Sequence, residues 1–352
     1  MLLLAAKIGI LANTHGQLSA VESATWQKLR TSIGVLARNG VAVGPAVFIS
    51  EDGYAVANTL VIQKGITDLV TETGISYKVK VEATDSASQL TLVKTTIRPV
   101  GITFVRAADR SDGEKGNILA VLPHQVLRAE LTGAEKIGVD QKSKRTFPVQ
   151  EIRVEQPALQ MGGALLFSQS GNLIGGLFAA LAQEAPSNQQ SFDIQGAAQS
   201  SKQATGNSGQ QLLTNRYLGP RGLVVAYSPT WEVTNKAVLG FLTPEKKASY
   251  GLLGVFISDS KFGGVEIQSI TKDSGAELAG LEVGDSIVDI SGVMIRNQID
   301  FSRATYRLIP GTTIPIKVRR KVELLTIMVT VGSQHAQVDG HQKSSTAQFD
   351  YL

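Results

Sequence analysis

The sequence predicts an all-β fold for most of the chain. Many short runs rich in valine and isoleucine are bounded by glycine, aspartate and asparagine, a pattern typical of strands joined by tight turns. Glycine supplies 35 of the 352 residues. Short, evenly spaced strands of this kind indicate barrels or sandwiches. A chain of this length is expected to form two or three domains.

The composition excludes several classes of function. An apolar content of 43% and a charged content of 18% describe an ordinary globular protein. The net charge of +4 is small for this length, so no nucleic-acid partner is predicted. Without cysteine there is no disulfide and no thiol chemistry. The four histidines do not cluster, so neither a metal site nor a cofactor is expected.

The predicted strands fall into two series, followed by a helix. The first series includes VAVGPAVFIS, YAVAN, SYKVKVEAT and LTLVKT, and the second runs from NILAVLP to GLVVAYS. The segment SPTWEVTNKAVLGFL then has helical spacing, with Ser228 and Pro229 as its start signals. Residues 183–215, before the last strand, are rich in Gln, Ser, Ala and Gly, and they are predicted to be a flexible insertion.

The two ends of the chain have compositions of their own. Residues 1–24 hold an apolar run that is broken by Lys7 and is too short to span a bilayer, so they suggest a secretory leader or a buried N-terminal segment. The segment SATWQKLRTSIGVLAR predicts a short helix that leads into a strand. Residues 334–352 are polar and are expected to be frayed. We expect no membrane span in the mature chain.

Three segments of residues 25–242 resemble trypsin-like serine proteases of the HtrA family. They are PAVFISEDGYAVANTLV, ATDSASQLTLVK, and PALQMGGALL followed by GNLIGG. The resemblance implies a chymotrypsin-like pair of antiparallel β-barrels with the active site between them. It also places each member of the catalytic triad, and this chain has a different residue at every one of those positions.

The resemblance puts Leu60 at the position of the histidine, Gln89 at that of the aspartate and Met161 at that of the serine. The mechanism needs a hydroxyl nucleophile, an imidazole base and a carboxylate that orients the base. Losing this unit lowers activity about a million-fold. Leu159 also replaces the glycine of the oxyanion hole. No catalytic residue is therefore predicted, and the family's serine endopeptidase activity is expected to be absent.

A displaced group is a poor substitute for the missing triad. His124 is the one histidine of the double-barrel segment, and a lone histidine in a loop is usually a solvated surface residue. Ser168 and Ser170 lie too far along the chain to replace Met161. A serine endopeptidase with an unconventional site remains the alternative hypothesis, as does an inactive regulatory subunit of an active HtrA protease.

Residues 251–333 resemble a PDZ domain. The resemblance rests on the segments GLLGVFI and GVEIQSITKDSGAELAGLEVGDSIVDISG. Such a domain adds a peptide strand to a sheet edge and receives its terminal carboxylate on loop N–H groups. The residues predicted to bind the peptide are those of the loop, one of the strand and three of the helix: Leu252, Leu253, Gly254, Val255, Ile257, Phe301, Thr305 and Leu308. Alternatively, the three helix residues pack the core of the domain.

The sequence therefore predicts a pseudoprotease that acts as a binding scaffold. Its expected ligands are polypeptide C-termini or unfolded segments, and its expected role is protein quality control in the bacterial envelope, in the periplasm or secreted. The resemblance also implies a possible trimer, for which Trp26 is the aromatic residue that could anchor the contacts, or assembly with an active HtrA relative.

Overall fold

The computed structural model describes residues 18–62, 65–140, 145–154, 163–177, 191–193, 218–219 and 223–333. The chain divides into two compact units, Met1–Ala248 and Ser249–Leu352. No helix among the described residues is both long enough and apolar enough to cross a membrane.

The first unit is built mainly from strands. Its helices are α1 (Ala20–Leu29), α2 (Thr59–Ile62), α3 (Arg110–Gly113) and α4 (Trp231–Phe241). Its strands are β1 (Ile33–Arg38), β2 (Val41–Phe48), β3 (Tyr54–Asn58), β4 (Asp68–Thr71), β5 (Ser76–Asp85), β6 (Leu90–Thr95), β7 (Gly116–Val121), β8 (Val126–Asp140), β9 (Arg145–Val154), β10 (Leu165–Ser168), β11 (Leu173–Gly176), β12 (Ser191–Asp193), β13 (Leu218–Gly219) and β14 (Leu223–Pro229).

The first six strands form a closed barrel in the order β1-β2-β3-β6-β5-β4. Its interior includes Leu36, Phe48 and Val93, all fully buried. Closure leaves no free sheet edge, and inward-facing side chains fill a barrel of this size. The predicted antiparallel barrel is thus confirmed, and YAVAN and LTLVKT are its adjacent strands β3 and β6.

The second series of strands forms a larger antiparallel sheet in the order β11-β10-β7-β8-β9-β14-β13. Its described strands do not close on one another, and they enclose a second core that includes Leu127, Ile152 and Leu166. Strand β12, inside the predicted flexible insertion, pairs in parallel with β8. The rest of the predicted insertion, 183–215, lies outside the described residues, so its flexibility stays a prediction.

Two helix boundaries differ from the sequence prediction. Helix α4 begins after Thr230, because Ser228 and Pro229 continue strand β14 instead of starting the helix. Helix α1 begins at Ala20 with Ser19 as its N-cap, so residues 20–24 of the range assigned to a leader are helical. The Ser19 hydroxyl accepts from the Glu22 N–H while the Glu22 carboxylate accepts from the Ser19 N–H, a reciprocal cap that fixes the start of the helix.

Helix α1 is held against the second sheet by a buried ion pair. Arg128 on β8 donates from Nε and Nη2 to the two carboxylate oxygens of Glu22, at 2.9 and 3.0 Å. Glu22 is 1% exposed. Trp26, one turn further on, is buried in the core where the two series of strands meet. The expectation that Trp26 anchors contacts between subunits is wrong, because its ring is already packed inside the unit.

The Glu22 charge predicts a pH-dependent stability. Burial alone would raise the pKa of Glu22, but hydrogen bonds from Arg128 and Ser19 outweigh it and hold the pKa below its ordinary value of 4.5. A lowered pKa stabilises the folded state above the unfolded-state pKa, and this contribution is lost as the pH falls through the folded-state value. Glu22→Gln should therefore lower the free energy of unfolding by about 2 kcal/mol at pH 7, and by less below pH 4.5.

Tryptophan fluorescence measures this effect in the intact chain, because Trp26 and Trp231 are its two tryptophans and both lie in the first unit. Glu51→Gln is the matched control, since the ion pair of Glu51 with Arg98 is well exposed and should contribute little. Equal losses for both variants, or a Glu22→Gln loss that does not change with pH, would contradict this interpretation.

The second unit combines a sheet with two helices. Its strands are β15 (Gly251–Leu252), β16 (Val255–Asp259), β17 (Val265–Ile270), β18 (Ser286–Ile290), β19 (Val293–Met294), β20 (Thr313–Arg320), β21 (Glu323–Thr330) and β22 (Gly332–Ser333), and its helices are α5 (Gly275–Leu278) and α6 (Gln298–Arg307). The main sheet has the order β16-β17-β18-β20-β21, with β19 paired to β18 and a separate pair β15-β22. Strand β16 is therefore an edge strand.

A buried carboxylate fixes the turn before β18. Asp285 is 1% exposed and accepts two hydrogen bonds from Arg320, both at 2.8 Å. Arg320 also donates to Glu282 and to the carbonyl of Gly280. The Asp285 carboxylate accepts from the Glu282 N–H as well. Asp285 therefore has a structural role, because its carboxylate links the turn to Arg320 on strand β20.

Candidate functional site

Leu60, which the sequence resemblance assigns to the position of the catalytic histidine, lies on the short helix α2. Asn58 ends strand β3 and is fully buried. Its Oδ1 accepts from the Leu60 N–H at 2.9 Å, and its Nδ2 donates to the Leu177 carbonyl at 3.3 Å. One side chain therefore fixes the backbone of Leu60 and links the first barrel to the second sheet. Leu60 itself is half-buried.

Three glycines pack closely around Val61 and Asn58, which are near Leu60 in the sequence. A Cβ at Gly163 would lie 2.8 Å from Val61 Cγ2, and one at Gly44 would lie 2.3 Å from the same methyl. A Cβ at Gly176 would lie 2.5 Å from the Asn58 amide nitrogen. Glycine at these three positions lets the backbone approach helix α2 closely. Val61 of helix α2 and the preceding Asn58 are therefore closely packed by these three glycines.

The position of the family's aspartate is next to the same helix. The carbonyl of Gln89 accepts from the Thr59 N–H at 2.8 Å, so Gln89 lies beside the start of helix α2. The side chain of Gln89 is turned to its own loop, since Nε2 donates to the Ser86 carbonyl at 2.6 Å. Gln89 has a φ of 55°. Neither Leu60 nor Gln89 carries a group that titrates near neutral pH.

The other residues considered for the triad region divide between described and undescribed parts of the chain. Leu159 and Met161 lie outside the described residues. His124 is exposed in the turn between β7 and β8. Ser168 is buried, and its hydroxyl accepts from the Asn172 N–H within its own turn. Within the described part of the chain, no group of three or more His, Cys, Asp or Glu residues could hold a metal ion.

The second unit presents a groove between strand β16 and helix α6. Because β16 pairs only with β17 among the described strands, its other edge can accept a further strand. At one end of the groove, helix α6 ends beside strand β15, where a Cβ at Gly251 would lie 2.6 Å from Leu308 Cβ. At the other end, Asp259 Oδ1 accepts from the Gln298 N–H at 2.8 Å. No pattern in the sequence predicted this second link between strand β16 and helix α6.

The loop at the closed end of the groove has the features of a carboxylate site. The carbonyl of Leu253 accepts from the Ala276 N–H at 3.0 Å, and that of Gly254 accepts from the Thr271 N–H at 2.7 Å. The N–H groups of Leu253 and Gly254 donate to no acceptor in the described residues. The loop is therefore held by its carbonyls, while two of its donors stay available for an anion.

Gly254 is required by the geometry of this loop. Its φ is 82°, in the left-handed region that favours glycine. A Cβ there would lie 2.2 Å from the Cβ of Ser274, the N-cap of helix α5. Any other residue would strain the backbone and collide with this cap.

The eight predicted peptide-binding residues divide between core and surface. Leu253, Phe301 and Leu308 are buried in the core of the unit, with 3%, 7% and 8% exposure. Leu252, Gly254, Val255, Ile257 and Thr305 are partly exposed. The Thr305 hydroxyl donates to the Ser302 carbonyl of its own helix. Phe301 and Leu308 thus pack in the core of the unit, the role that the alternative interpretation gives them.

The two units define a class of protein: a trypsin-like β-barrel unit followed by a PDZ domain. The PDZ domain family matches residues 244–331. The chain is similar in fold to HtrA-type proteases, which confirms the fold expected from the sequence segments.

Three solved structures illustrate the similarity. The HtrA-type protease AlgW with a decapeptide is 16% identical, with a TM-score of 0.58 over 89% of this chain and 98% of that chain. AlgW with a tripeptide has the same identity, with a TM-score of 0.57 over 89% and 97%. The serine endoprotease from Yersinia pestis is 14% identical, with a TM-score of 0.54 over 90% and 98%. No curated protein sequence matches the chain.

Proposed function

We propose that this chain is a catalytically inactive HtrA-like protein that binds polypeptide C-termini and unfolded segments through its PDZ groove. The observation that carries the proposal is the loop before β16, with two N–H groups that have no acceptor in the described residues beside an unpaired strand edge. A terminal carboxylate satisfies such donors, and an extended peptide satisfies the edge.

The absence of catalysis follows from the residue types at the triad positions. Leu60 cannot accept a proton, Gln89 carries no charge to stabilise an imidazolium, and Met161 has no hydroxyl. The packing of Val61 against Gly163 supports this reading, because it occupies space beside the position of the general base. The barrels then serve as a scaffold and the PDZ domain as the binding module.

The binding is expected to be of moderate strength. Each backbone hydrogen bond of an added strand contributes about 1 kcal/mol, and the ordering of a flexible peptide offsets part of this gain. Dissociation constants near the micromolar range follow from this balance. Two of the similar structures, AlgW with a decapeptide and with a tripeptide, hold peptides, which supports a peptide as the class of ligand.

The proposed setting is protein quality control in the bacterial envelope, with the protein in the periplasm or secreted. The apolar run near the start of the sequence and the absence of cysteine suggested this setting. Assembly as a homotrimer or with an active HtrA relative belongs to the same proposal. Trp26 takes no part in it, because it is buried inside its own unit.

Reduced casein, an unfolded protein, provides the test of the proposed function. After incubation with the purified full chain, we expect casein to co-elute with it in size-exclusion chromatography and to remain full length by mass spectrometry. If the protein still cleaves casein after a second purification, the endopeptidase alternative would be favoured. Intact casein that never co-elutes would contradict the scaffold role.

A further inference from the structure

Strand β16 keeps a regular alternation of side chains along the groove. The register with β17 shifts after Phe256, which pairs with Ser269, because the next residue, Ile257, pairs with Ile267. The extra residue of this bulge is Gln268, on β17. The edge strand itself is therefore not bulged, and its outer edge stays straight enough to receive an added strand.

The alternation separates two kinds of side chain on β16. Val255 and Ile257 pack against the core of the unit. Phe256 lies between them and is 54% exposed, although it is a large aromatic residue. Successive side chains of a strand point to opposite faces, so Phe256 is on the face away from the core. The neighbouring position on that face is Ser258, whose hydroxyl accepts from the Gln268 amide at 2.9 Å.

An added peptide strand meets these residues in a fixed order. If its carboxylate binds the N–H groups of Leu253 and Gly254, antiparallel pairing sets its last residue beside Val255 and its penultimate residue beside Phe256. Directly opposed side chains of an antiparallel pair lie on the same face of the sheet and contact one another. The last side chain then points into the groove, and the penultimate side chain lies against the Phe256 ring.

We propose that Phe256 is a specificity-determining residue that selects an aromatic or β-branched residue at the penultimate position of the ligand. The inference rests on the proposed function, since it needs a peptide in the groove. The exposed ring supplies apolar area that a flat aromatic or branched side chain covers, whereas serine covers little of it. Ser258 is engaged with Gln268, so Phe256 is the large apolar contact on this face of the strand.

The test uses fluorescence anisotropy with the full chain and two labelled peptides. Both end in a free carboxylate and valine, and they differ only in a tyrosine or a serine at the penultimate position. We expect the tyrosine peptide to bind about five-fold more tightly. In Phe256→Ser this ratio should fall to about one, mainly because the tyrosine peptide loses affinity.

Leu324→Ser is the matched control, because Leu324 is 64% exposed on β21, at the opposite edge of the sheet. It should keep the five-fold ratio of the unmodified chain. Equal binding of both peptides to the unmodified chain, or a ratio that survives in Phe256→Ser, would overturn the role of Phe256. Binding of neither peptide to any variant would instead count against the proposed function itself.

Discussion

The purified protein, incubated with a fluorophosphonate probe, is expected to remain unlabelled and to hydrolyse neither casein nor peptide esters. The probe needs an activated serine hydroxyl, and the sequence resemblance puts Met161 at the position of the nucleophile. Under the proposed loss of the triad, the rate is expected to be about a million-fold lower, so any residual activity should fall below detection. A labelled peptide that maps to the first unit would contradict this expectation.

Restoring the triad should recover only part of this deficit. In the triple variant Leu60→His, Gln89→Asp and Met161→Ser, we expect weak labelling, since Leu159 still replaces the oxyanion glycine. Adding Leu159→Gly should raise the rate by about a hundred-fold. The matched control carries Met161→Ala in place of Met161→Ser and should stay unlabelled. Strong activity in the triple variant would show that Leu159 does not disturb an oxyanion hole.

Gly254→Ala is expected to weaken peptide binding by at least ten-fold in affinity. The new Cβ would be placed 2.2 Å from Ser274 Cβ, and alanine at a φ of 82° adds about 1 kcal/mol of strain. The loop must shift, which displaces the N–H groups of Leu253 and Gly254. Isothermal titration calorimetry with a peptide that ends in valine measures the loss.

Gly280→Ala separates the collision from the strain. Gly280 has nearly the same φ, 80°, but a Cβ there would have no neighbour within 4 Å. We therefore expect a similar small loss of stability and unchanged peptide affinity. Differential scanning calorimetry checks that the second unit still folds in both variants. Equal affinity for Gly254→Ala and Gly280→Ala would mean that the loop before β16 does not bind the carboxylate.

The fold was predictable to a large extent because short strands with tight turns leave a clear pattern in the sequence. Strand β3 follows the Asp52-Gly53 turn, where Gly53 has a φ of 93° that favours glycine. Strand β6 coincides with the predicted run LTLVKT. The start of α1 was missed because its N-cap, Ser19, lies in a stretch of small residues that also resembles the end of a leader.

Tertiary pairing decided the features that the sequence could not predict. The Glu22–Arg128 ion pair joins residues 106 positions apart, and neither residue carries a local signal for it. Strand β12 lies in a segment of low apolar content, and its pairing with β8 supplies the backbone hydrogen bonds that its composition does not suggest. The burial of Trp26 follows in the same way from how helix α1 docks.

The candidate site was predictable where it depends on backbone and residue type. Gly254 was identified from the GLLG pattern, and the structure explains it through φ and the Ser274 contact. The exposure of Phe256 and the Asp259–Gln298 link were not predicted, because both depend on the relative placement of β16, β17 and α6. The spacing of residues along an edge strand does not predict which of its two faces is exposed to solvent.

The measurement that tests the central claim most directly compares two peptides of identical sequence that end in an apolar residue, one with a free carboxylate and one amidated. Titrated against the full chain by fluorescence anisotropy, the free-carboxylate peptide should bind with a dissociation constant of about micromolar order, and the amide at least ten-fold more weakly. The amide lacks the charge that the N–H groups of Leu253 and Gly254 receive. Equal affinities would contradict the claim that this protein functions by capturing polypeptide C-termini in its PDZ groove.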